Sequence, residues 1–371
     1  MKPRERVLKA INLEKPDRIP IDLGSTNCTS MTVPPYEKVK EKLSIDAPTK
    51  LMMKNFQLAE IDERVLEELK IDTRAVHGFS ASDAIKEEIS KNVYINQFGI
   101  KYKRPSIGER YDMVEHPLDG VSLEEYEEEY VWPEPEEEKI VQNAEERARK
   151  LYEEDKYAIV GDVVESGIFE PSWYIRGMQN FLIDLIRNKE YVHKLLSDML
   201  EFQIKRYEIF LDRVGEYLDI VFVGDDLATT DKTLMSKDTY REMVKPYQKK
   251  YFDNIKSMTD AKLLYHSDGN IVDFLDDLVE IGIDILNPIE TSALDLNKLK
   301  EFEDDLCFWG GIDNIEVLPN GTKKDVKQEV KKRIHQLGPN GYVLASVHNI
   351  QADVPAENAL TMFRTAPQVK L

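Results

Sequence analysis

Histidines and carboxylates recur in this sequence just at or beyond the ends of short apolar runs. His266 closes "AKLLYH" and Asp268 stands two residues on. Asp225 and Asp226 follow "LDIVFVG", Asp162 and Glu165 follow "YAIVG", and His348 with Asn349 follows "GYVLASV". Asp22, Glu290 and Asp313 take the corresponding places after three further runs. Lys and Arg are missing from the set. Carboxylates gathered in a buried place raise their pKa or cost stability unless a cation sits among them. Imidazoles mixed with carboxylates suit Zn²⁺. Each residue also has a plainer reading. His266 could be a structural histidine bonded to a neighbouring loop. Asp268 could cap the next helix, with Gly269 making the turn. "GDDLAT" could be a loop and cap, and His348 could orient the last loop. One such residue means little; several on successive runs argue for chemistry.

That argument needs a scaffold that brings the ends of the runs together. Short apolar segments alternate with longer amphipathic ones, the pattern of βα units around a parallel sheet. Strands are predicted at 18–24, 71–76, 157–163, 218–224, 261–266, 283–288, 306–311 and 341–347. Helical stretches between them carry apolar residues three and four apart. Eight strands with intervening helices predict an α/β fold, a single (β/α)₈ TIM barrel over residues 1–371 with its site at the C-terminal strand ends. One segment breaks the rhythm. Residues 92–117 alternate in the β manner, with turns at Gly99, Pro105 and Gly108. They begin a hairpin-like insertion, about 92–135, expected to cover one mouth of the barrel. The acidic stretch that follows reads as solvated loop and surface helix.

Composition narrows the function classes. The formal charge is −20 over 371 residues, with 42% hydrophobic and 32% charged side chains. A surface for nucleic acid or anionic membrane relies on clustered Lys and Arg, so both are excluded as expectations. Small molecules, or a protein with a basic docking face, fit better. Cys28 and Cys307 make no disulfide framework and no Cys-x-x-Cys pair. The N-terminal "MKPRERVLKAINLEKPDRIP" has no apolar core of a signal peptide, and no apolar run is long enough to span a bilayer. The expected compartment is the cytoplasm, and a homo-oligomer is left open.

Several motifs carry a resemblance. "RERVLKAINLEKPDRIPIDLG", "VFVGDDLAT", "MVKPYQKKYFDNIK", "LLYHSDGNIVDFLDDLVEIGIDILNPIE", "FWGGIDNIEVLPNGTKKDVKQEVKKRI" and "GYVLASVHNIQADVPAENALTMF" run nearly end to end. With them the sequence resembles the uroporphyrinogen decarboxylase-like superfamily, in its corrinoid-dependent methyltransferase branch. The decarboxylase itself fits less well. Its Arg-rich N-terminal segment binds the substrate's many carboxylates, and the matching "RIPIDLGSTNCTSMTVPPY" has no arginine after Arg18. Guanidinium forks are what such a substrate needs.

The resemblance also implies a ligand set. Methylcobamide:coenzyme M methyltransferases of this superfamily hold zinc with a His-x-Cys pair and a distant Cys. Here His266 matches the His, Asp268 stands at the first Cys position, and His348 falls at the distant one. Two thiolates make an electron-rich zinc suited to a thiol acceptor. A His266, Asp268 and His348 set would make a stronger Lewis acid, suited to an ether or alcohol oxygen. The expected function is therefore methyl transfer from a small methylated donor, such as an aryl methyl ether, to Co(I) on a separate corrinoid protein. His266, His348 and Asp226 are the catalytic candidates. Glu165, Asp225 and Asn349 could complete a metal shell or hold a phenolic hydroxyl, and Trp173, Trp309 and Phe169 could flank a ring. The last three read equally well as barrel core. A methylcobamide:thiol methyltransferase, a decarboxylase, and a non-catalytic corrinoid- or methyl-donor-binding protein are the alternatives.

Overall fold

The computed structural model describes residues 1–78, 85–108 and 110–371. Seven short parallel strands carry the fold: β1 (Thr73–His77), β2 (Ala158–Asp162), β3 (Ile220–Gly224), β4 (Lys262–His266), β5 (Ile285–Asn287), β6 (Cys307–Ile312) and β7 (Tyr342–Ser346). They are hydrogen-bonded in chain order from β1 to β7. Runs such as "IVFV" and "YVLAS" are apolar on both faces because helices cover one face and the barrel interior the other.

The eighth strand, predicted at 18–24, is reduced to one bridge, with Ile21 beside Leu344. Pro20 has no N–H to give a ladder, and the Ile21 N–H goes to the Asp72 carboxylate at 2.9 Å instead. The segment still closes the barrel. The Leu344 N–H donates to the Pro20 carbonyl and the Asp22 N–H to the Leu344 carbonyl. On the other edge the Asp72 N–H donates to the Ile21 carbonyl. Asp72 is wholly buried and is also gripped by Arg6 at 2.6 Å and Arg18 at 2.8 Å.

Alternate residues along the strands, including Val160, Phe222, Leu264, Trp309 and Ala345, fill the barrel interior. Val7, Ala10 and Ile11 of the helix Pro3–Ile11 join them. The helix is fastened at the strands' N-terminal ends, where the Arg4 N–H reaches the Lys156 carbonyl and its guanidinium the Asp219 carboxylate. It therefore stoppers that end of the barrel. Toward the other end, the next residue of the same alternation is Asp162, Gly224 or His266. Strand register sets Gly224, His266 and Asn287 side by side.

The insertion expected from 92 is a four-stranded antiparallel sheet of Ile85–Ser90, Val93–Asn96, Lys101–Lys103 and Asp112–Glu115. It starts earlier than the alternation suggests because "IKEEIS" is almost entirely solvent-exposed and carries little apolar signal. The acidic stretch opens with the helix Leu123–Glu129, whose Ser122 and Glu125 form a capping box. Among the described residues no helix is long and apolar enough to cross a membrane.

Candidate active site at the C-terminal strand ends

A cavity of about 330 Å³ lies at the C-terminal ends of the strands, and His266 and His348 both line it. His266 ends β4 and is 4% exposed. Its Nδ1 lies 2.6 Å from Asn287 Oδ1, while the Asn287 amide nitrogen donates to the Trp309 carbonyl at 3.0 Å. That second bond fixes the amide, so Nδ1 of His266 is the donor and Nε2 is the ring nitrogen left to the cavity. Nε2 stands 3.6 Å from Asp268 Oδ1 and 3.9 Å from Asp226 Oδ1. His348 Nε2 is 3.8 Å from Asp268 Oδ2, and the two imidazole rings are 5.6 Å apart. Burial holds His348 below the ordinary imidazole value, and the Asp268 charge works against that shift.

Cys28, which the sequence reading passed over, completes the cluster. One ligand atom each from Cys28, His266 and His348 lie within 4.8 Å of one another, as do atoms of Asp226, His266 and Asp268. Burial, with Asp268 and Asp162 nearby, pushes the Cys28 thiol well up, so it stays protonated until a cation arrives. Asp268 Oδ1 is buried and, among the described residues, has no hydrogen-bond partner. The Asp268 backbone N–H donates to Asp226 Oδ1 at 2.8 Å, which ties the Asp226 carboxylate to the loop that carries Asp268.

The loop after β2 brings in two glutamates. Val164 and Glu165 both adopt left-handed backbone, with φ of 55° and 52°. For a β-branched residue this is costly, on the order of 1–3 kcal/mol, and needs outside support. The support comes from the helix Lys189–Val214. Arg206 donates to the carbonyls of Val163, Val164 and Glu165, and Gln203 to those of Glu165 and Gly167. Gly167 is required by space: a Cβ there would fall 2.2 Å from the Gly224 carbonyl oxygen. Glu165 and Glu170 thereby reach the cavity. Burial, then the Asp226 charge, pushes the Glu170 carboxyl well up, and the Tyr174 hydroxyl donates to it. Asp226 is raised to about 6, by burial and by Asp268.

Other expected site residues sit elsewhere. Asp225 turns away and accepts the N–H groups of Ile168, Phe169 and Glu170 at 3.2, 3.0 and 2.6 Å, with the Gln248 amide at 3.1 Å. It caps the helix Phe169–Arg176. Asp225→Ala should leave those donors unpaired and lower the unfolding free energy by about 2–4 kcal/mol, measurable by denaturant titration. Trp309 lies inside the barrel with its indole N–H on Asp22 Oδ2, because the β6 alternation turns it inward one step below the rim. Trp173 packs on Tyr174 and Phe169 on Phe181, both off the cavity wall. The aromatic lining comes instead from Phe56, Tyr174 and Phe222. Asn349 does line the cavity, and its Oδ1 accepts the Ser30 N–H. Glu290 accepts from Gly269, Asp313 from Ile315 and Glu316, and Asp162 from Val164 and Asn27, all backbone N–H groups that shape the loops.

A larger cavity, about 590 Å³, lies beside Lys50, His77 and Arg147. Among the described residues it gathers one imidazole and no set of converging ligand atoms, so chemistry rather than size marks the site.

No curated protein matches the chain by sequence. Among solved structures, a methyltransferase from Methanosarcina mazei is similar over 99% of both chains, with 16% identity and a TM-score of 0.68. That likeness shows a shared fold. A B12-independent methionine synthase from Shewanella sp. W3-18-1, in complex with selenomethionine, matches 60% of this chain and 66% of its own at 12% identity, with a TM-score of 0.38. The second is too distant to argue from. Residues 114–369 match the uroporphyrinogen decarboxylase (URO-D) family. That match spans more than half of the sequence and contains Asp226, His266 and His348, so the chain belongs to the uroporphyrinogen decarboxylase (URO-D) family.

Proposed function

We propose that this protein is the first methyltransferase of a corrinoid-dependent system. It takes a methyl group from a small methyl ether, an aryl ether by preference, and passes it to Co(I) on a separate corrinoid protein docked over the barrel mouth. The observation that carries this reading is the convergence of Cys28, His266 and His348 at one end of a partly apolar cavity.

The donor set fits a zinc ion. His266 is fixed through Asn287 with Nε2 left to the cavity, Asp268 keeps a buried oxygen with no hydrogen-bond partner among the described residues, and one thiol joins two imidazoles. Cys28, His266 and His348 would hold the metal, with Asp268 beside both histidines. Zinc bound there would supply Lewis acidity toward the donor's oxygen. One sulfur in place of two keeps that acidity higher than in a thiol-activating site. Glu170 and Asp226 hold carboxyls in the same cavity, and either can give the departing oxygen its proton. Phe56, Phe222 and Tyr174 offer faces for an aromatic ring.

The cavity suits decarboxylation of a polycarboxylate poorly, because among its described residues a single guanidinium, that of Arg110, is there to receive many carboxylates. The deciding experiment mixes the protein anaerobically with a panel of aryl methyl ethers and cob(I)alamin as acceptor probe. Loss of the cob(I)alamin absorbance, matched by demethylated product, is expected. Demethylation at full rate without any corrinoid, or none with it, would defeat the proposal.

A further inference from the structure

Four carboxylates line the cavity, Glu165, Glu170, Asp226 and Asp268, and among its described residues there is one cationic side chain, Arg110. It arrives from the inserted sheet. The next residue anchors it: the Tyr111 N–H donates to the Asn55 carbonyl at 2.8 Å, and the Tyr111 ring packs edge-on against Tyr94 at 5.3 Å. The guanidinium does not turn to the acids. It lies 4.2 Å over the Phe56 ring, and among the described residues it makes no ion pair. An arginine in a protein of charge −20, beside four carboxylates, has partners to choose from. Its plane is held against the apolar wall instead, with its N–H fork unspent.

The cavity therefore has three zones. Cys28, His266 and His348 gather at one, Met53, Leu58 and Phe56 make an apolar patch, and Arg110, exposed, lies over that patch through Phe56. We propose that Arg110 is a specificity determinant that receives a carboxylate on the methyl donor, so that the donor is an anion whose methylated atom lies across an apolar body from its charge. A planar carboxylate matches the guanidinium fork and lets Phe56 flank the adjoining carbon skeleton. The acidic wall opposes an anion less than its four members suggest, since burial pushes Glu165 and Glu170 toward their neutral forms.

This assignment rests on the proposed methyl-transfer reading for its chemistry, so its test is a binding measurement that needs no turnover. Full-length protein is titrated calorimetrically with 4-methoxybenzoate and with its neutral counterpart, 4-methoxybenzyl alcohol. The wild type should bind the carboxylate at least about tenfold more tightly. Arg110→Ala should remove that preference and leave the neutral compound's Kd unchanged, and Arg110→Lys should restore part of it. Equal binding of the two compounds, binding of neither, or an unchanged preference in Arg110→Ala would overturn the assignment. So would an Arg110→Ala variant that loses only corrinoid-protein docking, since the arginine would then serve the partner. A carboxylate preference without methyl transfer would sink the methyl-transfer reading alone. Transfer from both compounds with equal efficiency would sink this one alone.

Discussion

His266→Ala and His348→Ala should each lower methyl transfer by about 10²–10⁴-fold while moving the thermal midpoint by only a few degrees. His266 is buried and gives up one hydrogen bond, to Asn287, worth about 1 kcal/mol. His348 is half-buried at the cavity and gives up less. If both hold one zinc ion, elemental analysis should show both variants depleted, and Cys28→Ala with them. Asp268→Asn keeps an oxygen at the same place and should lose less metal. Full metal occupancy in both histidine variants would rule out ligation and leave proton transfer as their role. Normal turnover in both would return them to structure.

The second large effect lies far from that cavity. Asp72→Ala should lower the unfolding free energy by about 3–5 kcal/mol, the usual result of removing one member of a buried ionic cluster. Arg6 and Arg18 would lose their shared carboxylate, and the Ile21 N–H would lose its acceptor. The damage should begin where 18–24 joins the barrel. Hydrogen exchange at the Ile21 and Asp22 amides should quicken before exchange at β3 or β4. Uniform acceleration, or an unchanged denaturation midpoint, would show that the segment is held by something else.

Why the fold was legible, and the site only partly so, follows from where each signal is stored. The strands announce themselves because a buried parallel strand must be apolar on both faces, and "IVFV" or "YVLAS" allows little else. His266 and His348 were visible as polar endings of such runs, and the structure places both in one cavity. The strand at 18–24 misled because its apolar pattern is genuine, while its ladder is interrupted by Pro20 and taken over by Asp72. Asp225 and Asp226 look equivalent in sequence. A helix N-terminus, invisible without the third dimension, claims the first and leaves the second to the cavity. Cys28 and Arg110 sit on loops and Glu170 in the first turn of the helix Phe169–Arg176, and their placement depends on contacts distant in sequence, such as Arg206 on the Val163–Glu165 carbonyls. For Cys28 a hint was available: it follows the first predicted strand, as His266 and His348 follow theirs.

The helix Pro3–Ile11 has a kinetic implication. Val7, Ala10 and Ile11 fill the far end of the barrel, so among the described residues no passage to the cavity runs through the barrel. On the proposed reading, donor, spent product and methyl acceptor would all share the mouth at the C-terminal strand ends. A partner protein seated over that mouth would lock in whatever lies beneath, so the donor would have to enter first and the product leave last. Traffic of this kind makes a long-lived embrace with the partner a hindrance to turnover. A docking face selected for throughput would then be loose and electrostatic, quick to form and quick to part.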